Sequence, residues 1–313
     1  MKAVRFHEYG DPEVLREEDV EVPAPGAGQV RIRVAATTFN GVDGNIRAGF
    51  MREPIPVVLP HTPGLDVAGT VDALGEGVDS VSVGDRVVAF LPMTADGAAA
   101  EYVVAPAEVL APAPGRIPLA DAAAFPLVAL TAWQALFDHG GLTAGQRVLV
   151  NGAGGAVGGY AVQLAKAAGA HVIATASPRS AELVRTAGAD EVVDHTTTDV
   201  RAAVHEPVDL LLNLAPIDPD AFRALVDLVA DGGVVVSTTV WMPTPADQTR
   251  GVRAVDLFVR SDAAQLTHLS ELVDRGELRV DIARRVPLAD LPAVHATAAA
   301  GTLAGKVVVL VEG

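Results

Sequence analysis

Glycines at 152, 154, 155 and 158 crowd one short stretch of this chain, within VLVNGAGGAVGGYAVQLAKAAG. Lacking a Cβ, glycine lets the backbone turn tightly, take positive φ and approach a pyrophosphate closely. A helix opening just beyond would aim unpaired N–H groups and a positive dipole end at the same phosphates. Such a turn can hold a nicotinamide dinucleotide, with Gly152, Ala153, Gly154, Gly155, Ala156, Val157 and Gly158 as its contact surface. Gly152, Gly155 and Gly158 are spaced G-x-x-G-x-x-G rather than G-x-G-x-x-G, and glycine also serves any tight strand-to-helix turn. The flanks favour the nucleotide: an apolar strand precedes the turn, and a helix and second apolar strand follow it.

The end of that second strand bears on which nucleotide. An acid there would bind the ribose 2′-hydroxyl of NAD. Here the strand ends Ala174-Thr175-Ala176-Ser177-Pro178-Arg179, with no acid before Glu182. Ser177 can donate a hydrogen bond, and the guanidinium fork of Arg179 matches a 2′-phosphate, so NADP is expected over NAD. The alternative for Arg179 is a solvated side chain at a helix start, where its charge sits slightly against the dipole.

The elements that must position these groups follow from hydrophobic period and turn residues. Val157, Ala161, Leu164, Ala165 and Ala168 share one helical face, which predicts burial against a sheet. Helices are predicted near 119–138, 156–168, 178–186, 219–230, 262–275 and 288–300. Strands are predicted near 147–151, 171–175, 191–193, 208–212 and 233–237, an alternation that means a parallel sheet. The first hundred residues read instead as short strands between turns: 3–6, 29–37, 66–74, 86–90 and 100–105. Ala111-Pro112-Ala113-Pro114-Gly115 looks like a boundary. The last strand, 306–311, is apolar almost throughout and is expected inside a sheet. The fold class is therefore α/β.

Bulk properties narrow the partners. A 313-residue chain that is 50% hydrophobic can bury a sizeable core, most simply as two domains. Its net charge of −16 disfavours nucleic acid and anionic membrane. Cysteine is absent, so disulfides, thiolate nucleophiles and cysteine-held metals are excluded together. The opening Met1-Lys2-Ala3-Val4-Arg5-Phe6 runs into charged sequence without a leader pattern, and no apolar run is long enough to span a bilayer. A cytoplasmic protein is expected.

Together these features resemble the zinc-free quinone oxidoreductase (zeta-crystallin-like) branch of the medium-chain dehydrogenases/reductases. The resemblance is carried by Phe39-Asn40-Gly41-Val42-Asp43 with Ile46-Arg47-Ala48-Gly49, then Pro63-Gly64-Leu65-Asp66-Val67-Ala68-Gly69 and Val83-Gly84-Asp85-Arg86-Val87. It continues through Leu130-Thr131-Ala132-Trp133, the glycine turn, and Gly188-Ala189-Asp190-Glu191-Val192-Val193-Asp194. It implies a GroES-like, β-rich catalytic domain over 1–118, completed by 260–313. A Rossmann domain with a doubly wound parallel sheet would occupy 119–259, with the active site in the cleft between them and a homodimer as the usual assembly.

The resemblance also implies roles. Asn40 and Thr131 would line the nicotinamide end, against the alternative of turn and helix-cap chemistry. Asn45 and Phe50 stand where related reductases often carry tyrosines, leaving Asn45, through an ordered water, or solvent to deliver a proton. His195 would lie near the adenosine phosphate or on a solvated loop. Asn213 and Phe258 would join the cofactor site; Phe258 and Trp241 are read either as nicotinamide or substrate contacts or as buried structural aromatics. Arg47, Arg52 and Arg250 are a candidate basic patch. Zinc-dependent relatives use cysteine and histidine, but here Leu65 fills a histidine position, and His61 alone of eight histidines lies in the expected segment. One histidine cannot hold zinc, so no metal is expected.

The implied reaction is hydride delivery from NADPH to a small acceptor that is already electrophilic, a quinone or other α,β-unsaturated carbonyl. Two alternatives stay open: an enoyl-thioester reductase, and a non-catalytic NADPH-binding or redox-sensing protein.

Overall fold

The computed structural model describes residues 1–239 and 241–311. The chain forms two compact units, Met1–Leu127 with Ser261–Gly313, and Val128–Arg260.

In the first unit, β1 (Lys2–Phe6) and β2 (Leu15–Asp19) make an antiparallel pair. β3 (Gln29–Thr38), α1 (Gly41–Ala48), β4 (Asp66–Leu74), β5 (Arg86–Phe90), β6 (Tyr102–Pro106) and β7 (Ala111–Pro112) follow. β3 buries Val30, Ile32 and Val34 while Arg31 and Arg33 face outward, the period-two pattern of a half-buried strand. α1, not anticipated from the sequence, starts at a capping box: Asn40 is the N-cap, and the Asp43 carboxylate accepts the Asn40 N–H.

The second unit begins within α2 (Pro126–Trp133) and continues with β8 (Arg147–Asn151), α3 (Ala156–Ala167), β9 (His171–Ala176), α4 (Ala181–Thr186) and β10 (Glu191–Asp194). It ends with α5 (Val200–Ala203), β11 (Val208–Asn213), α6 (Pro219–Val226), β12 (Val229–Ser237) and β13 (Arg253–Asp256). All six strands are parallel, in the order β10-β9-β8-β11-β12-β13. Strand order reverses between β8 and β11, the doubly wound Rossmann arrangement. Leu149, Ile173, Leu211 and Val235 from four neighbouring strands pack with Phe222, Leu225 and Val226 of α6 in one core. Each such side chain contributes about 1.5–3 kcal/mol on burial.

The chain then returns to the first unit as α7 (Ala263–Arg275), β14 (Arg284–Pro287), α8 (Leu291–Ala299) and β15 (Val307–Leu310). β15 lies between β14 and β3 in a seven-stranded sheet, with Val307, Val308 and Val309 buried, as its apolar run predicts.

Two expectations need correction. Residues 119–138 are not one helix: a 3-10 segment (Leu119–Ala124) precedes α2, and a π-helical turn (Gln134–His139) follows it. Pro126 has no N–H to give and disfavours helical geometry at Phe125, so the helix restarts there with proline in its first position. The boundary also falls at 127/128 rather than 118/119. Residues 119–127 are tied to the first unit, where Asp121 pairs with Arg285 and the Leu127 N–H donates to the Asp66 carboxylate. No described helix is long and apolar enough to cross a membrane.

Candidate functional site

The glycine turn joins β8 to α3 as the sequence predicts. Gly152 has φ +88°, and an added Cβ there would come within 2.9 Å of Ala215 Cβ. The Gly152 N–H donates to Thr175 Oγ1 on β9, and that hydroxyl donates to Asn151 Oδ1. At the helix start the cap is Gly155, which offers no side chain. The N–H groups of Ala156, Val157 and Gly158 are the orphan donors of the first turn, and none finds an acceptor among the described residues. Ala161, Leu164 and Ala165 are buried along the predicted face, while Val157 and Ala168 are half-buried.

A cavity of about 490 Å³ opens beside this turn. It lies at the carboxyl ends of β8, β9, β10 and β11, lined by Gly152, Thr175, His195, Arg201, Pro216 and Ile217 among others. Open doubly wound sheets place ligands outside the carboxyl ends of the strands at the switch point. A glycine cradle with unclaimed N–H donors and an adjoining cavity with apolar walls fit a dinucleotide's pyrophosphate and adenosine. Ser177 and Arg179 sit in the turn between β9 and α4. Arg179 is exposed and makes no hydrogen bond or ion pair among the described residues. His195 is exposed and faces the cavity.

Asn213, which the resemblance assigns to the cofactor site, ends β11. It is fully buried; its Oδ1 accepts from Asn151 Nδ2, and its Nδ2 donates toward Ala215 O, Ser237 Oγ and Thr239 Oγ1. Asn213 ends a relay through Asn151 and Thr175 that fixes the Gly152 N–H. Phe258 and Trp241 are 50% and 63% exposed, which excludes the reading as buried aromatics. Thr131 is buried on α2.

In the first unit, the Asn40 amide is also engaged. Its Nδ2 donates to Asp66 Oδ2 at 2.9 Å, and its Oδ1 accepts from Lys306 Nζ at 2.5 Å. At 6% exposure its amide is engaged by Asp66, Thr38 and Lys306. Sequence reading missed its partners Asp66 and Lys306, an ion pair with side chains 0% and 3% exposed. Asp43, beside them, is pushed up to about 6, first by burial and further by Asp66, against the opposing pull of backbone donors and Lys306. Asn45 is half-buried on α1 and its side chain has no hydrogen bond among the described residues. Phe50, just past α1, is 79% exposed.

His61 is buried, with Nδ1 at 3.5 Å from Asp96 Oδ1 and its ring edge-on to Phe6. Burial and Arg5 hold it below the usual imidazole range, against the pull of Asp96. The three candidate arginines are each engaged. Arg47 is buried and donates to Gly10 O, Arg52 stacks over Tyr9, and Arg250 pairs with Asp247 and donates to Val226 O and Val229 O. Among the described residues no group of three or more His, Asp or Glu side chains could hold a metal ion.

The chain matches the alcohol dehydrogenase GroES-like domain family over residues 26–115 and the zinc-binding dehydrogenase family over 187–309. The quinone oxidoreductase of Lama guanicoe is 35% identical, the match covering 100% of this chain and 98% of that protein. The chain belongs to the quinone oxidoreductase family. It is accordingly an NAD(P)H-dependent oxidoreductase with the medium-chain dehydrogenase/reductase fold. A solved NAD-dependent alcohol dehydrogenase superposes with a TM-score of 0.91 at 31% identity, covering 100% of both chains. A mycobacterial protein solved with NADPH superposes at 0.86, 29% identical over 99% of each chain. One such neighbour is thus named for NAD, and another was solved with NADPH bound.

Proposed function

We propose that this quinone oxidoreductase family member is a metal-independent, NADPH-dependent reductase of quinones or other α,β-unsaturated carbonyls. The observation that carries the cofactor choice is Arg179: an exposed guanidinium with no hydrogen bond or ion pair among the described residues, in the turn after β9, with no acid on the strand end to claim a ribose hydroxyl. Metal independence rests on the donor set. Cysteine is absent from the sequence, and His61 is buried against Phe6 and Asp96.

When bound, the dihydronicotinamide supplies a hydride. The first-turn N–H groups of α3 bind the pyrophosphate, and the Asn213–Asn151–Thr175 relay keeps Gly152 at the height those phosphates need. Ser177 and Arg179 bind the 2′-phosphate, and His195 adds a donor at the cavity rim. At the acceptor, the Asn45 amide, which has no hydrogen bond among the described residues, donates to the carbonyl oxygen as negative charge grows there. Protonation of that oxygen completes reduction, with the proton drawn from water. The acceptor is a small molecule, a quinone or enone; of the candidate basic patch, Arg47 donates to Gly10 O and Arg250 pairs with Asp247. A homodimer is proposed with it, β13 being the open edge of the parallel sheet.

Fluorescence titration with NADPH and NADH tests the cofactor. NADPH should bind more tightly, and Arg179→Ala should weaken NADPH selectively by about 1.5–3 kcal/mol, the range for a charge-assisted bond. Equal affinities would overturn it. Steady-state NADPH oxidation across quinones, enones and enoyl thioesters tests the acceptor, with turnover expected to survive exhaustive chelation. Preference for enoyl thioesters would replace the substrate assignment, and tight binding without any turnover would favour a sensor.

A further inference from the structure

Lys306 lies one residue before β15 with its side chain 3% exposed. Burying an ammonium costs several kcal/mol unless its partners are well placed. Its partners are Asn40 Oδ1 and Asp66 Oδ2, the latter at 3.0 Å. Asp66 Oδ2 also accepts from Thr38 Oγ1 and Asn40 Nδ2, and Oδ1 accepts the Leu127 N–H. The Asn40 N–H donates to Asp43 Oδ2, and Asp43 Oδ1 accepts the Gly64 N–H at 3.0 Å. One buried ammonium therefore ties the C-terminal strand to β4, to the Gly64 loop and to the first turn of α1. That helix carries Asn45 on its next turn.

We propose that Lys306 is a positioning residue for hydride transfer: through Asn40 and Asp66 its ammonium fixes the first turn of α1 and thereby aims the Asn45 amide at the acceptor oxygen. The proposal rests on the reductase reading above. The alternative is that the cluster merely stabilises the fold. The two differ in their dependence on pH. Asp66 from β4 and Lys306 are the charged groups that act on Asp43; His295, from α8 packed against α1, responds instead to Arg47. Without Lys306, one of the influences that lower Asp43 is gone, leaving the backbone donors of Asn40 and Gly64. Asp43 then protonates at higher pH and loses one of its two backbone links.

The test compares wild type with Lys306→Met, Lys306→Arg and the charge-balanced double variant Asp66→Asn with Lys306→Met. In Lys306→Met, kcat with 1,4-benzoquinone should fall about thirtyfold while the NADPH dissociation constant stays within twofold, and the acid limb of kcat should move to higher pH. Amide hydrogen exchange over 41–48 should rise at least about tenfold, with Lys306→Arg recovering part of each effect. If Lys306→Met does not fold, the double variant carries the same exchange and kcat predictions, since removing both charges leaves no orphan ion. A folded variant with unchanged acid limb and unchanged exchange overturns the proposal. Absence of turnover in wild type with every acceptor would overturn the reductase reading instead; the exchange measurement would then still show whether Lys306 grips α1.

Discussion

Gly158 and Gly159 are adjacent in α3, yet the structure predicts opposite outcomes for the same substitution. A Cβ on Gly158 would land within 2.6 Å of three backbone atoms of Ala153, whereas one on Gly159 would meet nothing within 4 Å. Ordinary contact begins near 3.4 Å and the nearest of these atoms lies at 2.4 Å, so Gly158→Ala must push the start of α3 away from the glycine turn by about 1 Å. A hydrogen bond of about 2.9 Å from a first-turn N–H to phosphate would stretch to about 3.9 Å and cease to be one. Losing one such charge-assisted bond costs about 1.5–3 kcal/mol, so NADPH should bind roughly tenfold to a hundredfold more weakly. Crowding of the backbone should add about 1–3 kcal/mol of destabilisation. Gly159→Ala should bind NADPH like wild type and gain up to about 1 kcal/mol from helix propensity. Urea unfolding and NADPH fluorescence titration of the two variants decide the matter. Gly158→Ala with wild-type stability and affinity would refute the claim that close helix–turn contact builds the cradle.

His295 is buried and held down to about 3 by burial and by Arg47, so stability from its neutral ring is full above about pH 6.5 and drains as pH falls toward 3. Asp43, raised to about 6, acts oppositely, its contribution being present at low pH and lost as pH rises through 6. Between about pH 7 and pH 5 the first removes about 2 kcal/mol and the second returns about 1.3. Wild-type stability should therefore be nearly flat over that range, while His295→Leu should grow more stable on acidification; matching slopes in thermal unfolding would contradict both assignments. Asn45→Ala should lower kcat with quinones by about tenfold to a hundredfold at unchanged NADPH affinity, as for loss of one donor to a developing oxyanion; an unchanged kcat would remove Asn45 from the mechanism. Asn213→Ala should cost about 1–3 kcal/mol by leaving the Asn151 Nδ2 donor without its acceptor, and should weaken NADPH through Gly152; unaltered binding would show that the relay does not reach the turn.

The parallel sheet was legible because its signals are local. Val148, Leu149 and Val150 lead into glycines, and Ala161, Leu164 and Ala165 share a face; both facts need only a few consecutive residues to read. Errors fell where two local signals compete. Residues 119–138 carry helical composition throughout, but Pro126 outweighs composition by removing a donor, and the segment breaks into three helical types. α1 was missed although its capping box is written in Asn40 and Asp43, because only eight residues follow before Gly49 ends it at φ +82°.

The site divides along the same line. In the proposed site, Gly152 to Gly158, Ser177 and Arg179 would act through backbone shape or exposed charge, and both are visible in sequence. The resemblance gives Asn40 a role at the nicotinamide end, while its amide is set by Asp66 and Lys306, 26 and 266 residues away. Asn213 and Asn151, 62 residues apart, pair in the same way across two strands. An asparagine amide offers donors and an acceptor in every setting, so residue type alone cannot show whether it serves a ligand or the protein. Only its satisfied or unsatisfied state does. Asn40 and Asn213 hold protein groups, whereas the Asn45 amide has no hydrogen bond among the described residues, which is why the proposed mechanism gives it the acceptor oxygen.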